Sequence, residues 1–240
     1  MPNLRAAALV VVACAAVLSA ACGAATSTPS ARVTTTTHTS TTPAASAAAD
    51  NQTVSVVTTG VGAWQLVAIP VAMLKNNAAH HGAAAVVVHF VTHGPGGGTL
   101  GSLDSEAVNL APGETLPVAA DCTDGCNGAT TTDVKVDVGS WTTSSGPFFT
   151  AVAGTFQCGT GSCNGGGHGQ GTVSGQLTVS RLAQDVSIVE FAVCTDAAGT
   201  IMGAGTTQTI WPGGGTSAAH VPVIVNNAPA ACQLSASAGW

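Results

Sequence analysis

Val134, Val136 and Val138 alternate with Lys135 and Asp137. A period of two puts the valines on one face and the charges on the other, which predicts a strand with one wet side. Other apolar runs are continuous and rich in branched residues: Trp64 to Leu74, Ala83 to Thr92 and Val186 to Cys194. Pro-Gly, Gly-Gly and Asn-Asn clusters break these runs at short intervals, as turns do. Beyond the N-terminal region no stretch keeps a helical period over a useful length. The expected fold class is all-β.

The pattern recurs. Val87-Val-His-Phe90-Val-Thr-His93 aligns with Val189-Glu-Phe191-Ala-Val-Cys194, with Phe90 and Phe191 standing 101 positions apart. Ala111-Pro112-Gly113 matches Trp211-Pro212-Gly213, and the segment ending at Trp141 matches the one ending at Trp240. Three anchors in one order at nearly one offset point to two copies of a module, 51–141 and 142–240. About seven short strands in about ninety residues predict an immunoglobulin-like β-sandwich for each copy, with a closed barrel as the rival.

A hydrophobic strand, the turn Asp196-Ala-Ala-Gly199, the turn Pro212-Gly213 and a final alternating strand together resemble bacterial FxLYD-type domains. These are small immunoglobulin-like modules of exported lipoproteins. The resemblance implies a non-catalytic role. The family's Gly-x-Val-x-Asn start is here Gly175-Gln-Leu177-Thr-Val179, and its Phe-x-Leu-Tyr-Asp signature is missing.

The N-terminal region gives an address. Arg5 precedes the uncharged apolar run Ala6 to Leu18, then Ser19-Ala20-Ala21, Cys22 and Gly23. The run has signal-peptide length and is too short to span a bilayer. The pattern resembles a bacterial, actinobacterial-like lipoprotein signal, with Ser19 where a leucine is usual. That resemblance implies a signal peptide at 1–21, diacylation of Cys22 and attachment to the outer side of the membrane. The alternative is simple cleavage after the small residues and a secreted product. Thr26 to Ala49 are Thr-, Ser- and Pro-rich and predict a disordered stalk over 22–50. It is either a plain spacer or an O-glycosylated one.

Only 7% of residues are charged, against roughly 25% in an ordinary soluble protein. Lys and Arg total 5 and the net charge is −6, which removes nucleic acid from the partner classes. Of 8 cysteines, Cys14 leaves with the signal and Cys22 is the acylation candidate. Six remain for an oxidising compartment. The expected pairs are local: Cys122 with Cys126, Cys158 with Cys163, and Cys194 with Cys232. A thiolate zinc site is the alternative for the first four, and export opposes it.

Histidines carry the other metal reading. His80 and His81 are adjacent, while His89 and His93 share one side of a strand roughly 13 Å apart. Those four are the candidate ligands of a copper or zinc carrier; His168 stands in a glycine-rich loop. Asp121, Asp124 and Asn127 offer oxygens for calcium but lack the EF-hand pattern. No catalytic triad, nucleophile elbow, phosphate loop or His-Glu-x-x-His motif is present. Trp141 and Trp240 read as matched plugs, and Trp211 as either core or exposed contact. The expectation is a non-enzymatic cell-envelope lipoprotein without cofactor, acting in adhesion, assembly or binding of an envelope protein or glycan. The alternative is the metal carrier.

Overall fold

The computed structural model describes residues 50–123, 125–143, 149–159, 168–179 and 182–238. Among them every regular element is a strand: β1 (Val54–Trp64), β2 (Val67–Asn76), β3 (His81–His93), β4 (Thr99–Asp104), β5 (Val108–Leu110), β6 (Thr115–Ala119), β7 (Thr131–Thr143), β8 (Val152–Cys158), β9 (Gly169–Thr178), β10 (Ser187–Thr195), β11 (Ile201–Ile210), β12 (Thr216–Val225) and β13 (Ala231–Ala238). The protein is all-β. The expected signal peptide, Cys22 and the stalk up to residue 49 lie outside the described residues, as do Asp124, Cys163 and Trp240. Asp50, the last residue assigned to the stalk, is described. Its carboxylate accepts from the amides of Ala79 and His80 and pairs with His81 Nδ1 at 2.5 Å.

All pairings are antiparallel. β1, β2 and β6 form one sheet in that order, while β3 carries β4 and β5 on one edge and β7 on the other. The remaining six close into a barrel in the order β10-β11-β12-β9-β8-β13, with β13 returning to β10. The internal repeat has a structural counterpart. The set β1-β2-β6 corresponds to β8-β9-β12, and β4-β3-β7 to β11-β10-β13. Phe90 stands opposite Val134, and Phe191 opposite Ser235, two positions further along β13 than the Trp141–Trp240 alignment would put it. Both Pro-Gly turns place their glycine at positive φ, +69° at Gly113 and +89° at Gly213, a conformation that costs glycine least.

The copies differ in how their two sheets meet. In the second, β13 continues onto β8 through Cys232 opposite Gly154 and Leu234 opposite Val152, and β11 reaches β12. The sandwich expected for 142–240 is therefore replaced by the closed barrel. Missing side chains allow this closure. A Cβ on Gly175 would lie 2.7 Å from Leu234 Cδ1, and one on Gly205 would run into the carbonyl of Pro222.

The apolar core also crosses the boundary expected at 141/142. The described residues fall in one compact unit. A single cluster unites Leu74, Val86, Phe90 and Leu116 of the first copy with Val189, Phe191, Val193 and Ile224 of the second. β10 is the reason. Val189, Phe191 and Val193 face the first copy, while Ile188, Ala192 and Cys194 face the barrel interior. Burying each Val or Phe contributes about 1.5–3 kcal/mol. A strand covered on both faces reads as a largely apolar run, as Val186 to Cys194 does apart from Ser187 and Glu190.

Polar side chains supplement this contact. Asn109 Nδ2 donates to the Ala238 carbonyl (2.7 Å), and the Asn109 amide donates to Ser237 Oγ (2.9 Å). Asn226 Nδ2 donates to the Val61 carbonyl and its Oδ1 accepts from the Ala63 amide, both at 2.6 Å. Within the first copy the fully buried Asn76 donates from Nδ2 to the carbonyls of His81, Leu110 and Ala111, and its Oδ1 accepts from the Ala78 amide. It satisfies the backbone where three strands end.

Cys122–Cys126 and Cys194–Cys232 are disulfides, the second between directly opposed residues of β10 and β13. The third expected pair rests on Cys163, outside the described residues. Trp211 is core: fully buried, edge-on to Phe149 with centroids 5.4 Å apart. Trp64 and Trp141 pack against the shared cluster from partly exposed positions.

Two stability predictions follow from these elements. The Cys194–Cys232 loop spans 38 positions and the Cys122–Cys126 loop 4. Loop entropy then assigns about 4 and about 2 kcal/mol respectively. Replacing both cysteines of each pair by alanine should lower the unfolding free energy in that order in urea titrations; equal losses would contradict it. Glu114, largely buried behind the Pro112-Gly113 turn, has its carboxyl pushed up to about 7 by desolvation, opposed by the Ala111 amide donating to it. The folded chain holds this proton between pH 4.5 and 7 where the unfolded chain has released it. Stability from this group is therefore complete below pH 4.5 and lost as pH rises through about 7, a change of the order of 3 kcal/mol. Glu114→Gln should flatten that slope in thermal melts taken across the window.

Candidate functional site

Two surface features gather the chain's chemistry. The first is the outer face of β4-β3-β7. Strand alternation puts His89 and His93 on the solvent side of β3 while Val88, Phe90 and Thr92 point inward. Register then sets carboxylates beside the imidazoles. His89 Nδ1 meets Asp104 Oδ1 at 2.6 Å and Nε2 meets Asp137 Oδ2 at 3.0 Å. Both ring nitrogens face acceptors, so the ring needs both protons and is held as the cation. The Asp104 contact, then Asp137, raises the His89 pKa above its ordinary value. Lys135, then His89, holds the Asp137 carboxyl below its ordinary value. His93 Nε2 pairs with Asp133 at 3.1 Å.

These ion pairs are cross-strand ties. The histidines are consumed by carboxylates, and exposed pairs of this kind are worth little individually. His80 is exposed in the bend before β3, and His81 is committed to Asp50. Among the described residues no three histidine, cysteine or carboxylate side chains are gathered to hold a metal ion. The four candidate metal histidines are not brought together. His168 is exposed at the start of β9, far in register from all of them.

The second feature is a cleft of about 740 Å³ between the first copy and the barrel. Val67, Ile69 and Asp121 line it from one side, and Thr172, Thr207, Pro222 and Val223 from the other. A smaller cleft of about 320 Å³ shares Asp121, Thr206 and Thr207 and adds Asp104 and Glu106. The cause lies in the barrel seam. β11 and β12 pair only through Gly203 with Val225 and Ala204 with Ile224. Continued, that register would put Thr206 opposite Pro222, and proline has no N–H to give. The last ladder pair is Ala204 with Ile224, two positions short of it. Beyond that point β11 keeps β10 on its other edge and β12 keeps β9.

The cleft is poor in charge and of one sign. Among the described residues its one charged lining side chain in the larger part is Asp121, whose pKa is raised by removal of water. Glu190 on β10 is the register partner of Thr207, and its carboxyl is pushed up by burial. The two described lysines are engaged elsewhere, Lys75 with the Gly113 carbonyl and Lys135 with Asp137. Of the cleft residues only Asp121 had been marked in the sequence, for calcium, and its companion Asp124 lies outside the described residues. The signal that was available is Pro222 inside an otherwise apolar strand, which marks a ladder edge or interruption. No known family fits the chain, and neither a curated protein nor a solved structure matches it.

The His89 pairing has a defined pH window. A raised imidazole pKa contributes stability that is complete below 6.5 and lost as pH rises through the raised value. The lowered Asp137 pKa contributes above 3.8 and is lost as pH falls through the lowered value. Ring titration by NMR should place His89 above 6.5. Asp104→Asn should bring it down further than Asp137→Asn, and an unshifted ring in the native chain would refute the bridge.

Proposed function

We propose that this chain is an exported, lipid-anchored protein of the bacterial cell envelope, whose β-sheet body holds a partner without chemically altering it. The open cleft at the barrel seam carries this reading. Its walls are strand backbone, threonine hydroxyls and aliphatic side chains, a surface suited to holding a ligand. The Cys22 context supports the anchor, and paired cysteines support an oxidising compartment.

The test has two readouts in a bacterial host expressing the full chain. Intact mass and membrane partition should show a diacyl increment that disappears in Cys22→Ser; an unlipidated, released native product would remove the anchor from the proposal. Photo-crosslinking in intact cells should trap a neighbour at the cleft. Thr207→Trp, which fills the cleft from an only partly buried position, should abolish that adduct with little change in melting temperature. Turnover of an envelope substrate that Asp121→Asn eliminates would refute the non-catalytic reading.

A further inference from the structure

The seam between β11 and β12 leaves an unusual edge. Most barrel strands are paired on both sides, and closure is what removes exposed edges from an all-β protein. At the β11–β12 seam the ring is closed by two residue pairs, and the segment from Thr206 to Ile210 pairs with β10 on one side and with no described strand on the other, its first three residues lining the clefts. Five residues of strand offer roughly 17 Å of backbone donors and acceptors. The apolar end of that edge, Ile210, is 56% exposed. Across the cleft stand Val67, Ile69 and Val223.

We infer that the cleft receives an extended, lysine- or arginine-bearing polypeptide segment, which adds to the free edge of β11 as an extra strand. This rests on reading the chain as a partner-binding protein and names the partner's chemistry. Strand addition supplies affinity through main-chain hydrogen bonds and specificity through alternate side chains. Charge complementarity selects the occupant. Asp121 borders both clefts, Asp104 and Glu106 border the smaller one, and among the described residues no basic side chain lines either. An acidic segment would meet like charge; a basic one would relieve the desolvated Asp121. Alternation in the incoming strand would send its cations toward these carboxylates and its aliphatic residues toward Ile69 and Val223.

The probe is a fluorescein-labelled, end-capped peptide of eight alternating lysines and valines, titrated by anisotropy into the full chain at low and moderate salt. Three companions isolate the contributions: the same peptide N-methylated at alternate backbone nitrogens, a glutamate-valine peptide, and spermine as competitor. The expected result is saturable binding of the lysine peptide, weakened about tenfold or more by N-methylation and by Asp121→Asn. The glutamate peptide should not bind, spermine should compete only weakly, and amides of Thr206 to Ile210 should gain protection from hydrogen exchange. Equal binding of the N-methylated peptide, or full displacement by spermine at matched charge, would overturn strand addition. Equal binding of the glutamate peptide would overturn the choice of partner. Absence of peptide binding alongside a Thr207-sensitive adduct in cells would overturn this inference and leave the proposed function standing; loss of both would remove both.

Discussion

One strand must be covered on two sides. β10 buries Val189, Phe191 and Val193 against the first copy and Ile188, Ala192 and Cys194 inside the barrel. In water either face alone would leave a row of large apolar side chains exposed. The rest of the architecture answers that constraint. The first copy's sheets lend Leu74, Phe90 and Leu116 to the outer face, β13 and β12 lend Leu234 and Val221 to the inner one, and Asn109 and Asn226 stitch the rims with hydrogen bonds to the other copy. A chain with so few charged residues has little else with which to hold two modules in register.

Local pattern made much of this legible. The alternation at Val134 to Val138 located β7, the apolar runs located β2, β3 and β10, and the Phe90 and Phe191 anchors fall on β3 and β10. The cysteine spacing identified both described disulfides. Closure of the second copy was not legible, because it depends on absent side chains. Gly154, Gly175, Gly203 and Gly205 admit backbone or Leu234 at contacts any Cβ would block, yet in sequence they read as turn or bulge signals. Trp211 beside a Pro-Gly turn was ambiguous for a similar reason: the turn is at the surface while the indole points in. The histidine ties were also out of reach, since a pairing such as His89 with Asp104 and Asp137 depends on which residues face each other across three strands.

The cleft follows from the same economy. Pro222 interrupts a ladder that the glycines of β11 otherwise bring very close to β12, so the seam is tight at Gly203 and open at Thr206. Because the surroundings supply carboxylates and hydroxyls but no free cation, the opening carries a sign as well as a shape. The exposed imidazole–carboxylate ties of β3 lie on another face and serve cohesion of that sheet; Asp104 alone belongs both to a tie and to the smaller cleft.

The place of β13 has a kinetic consequence. It is the last strand in the chain, and it is hydrogen-bonded to both β10 and β8. The ring therefore cannot shut until segments some eighty residues apart, around Val152 and Leu234, have found one another, and such distant pairings are slow to form. Until then the inner row of β10 and the cavity side of β8 have no lid. Among the barrel's pairings this closure spans the longest stretch of chain.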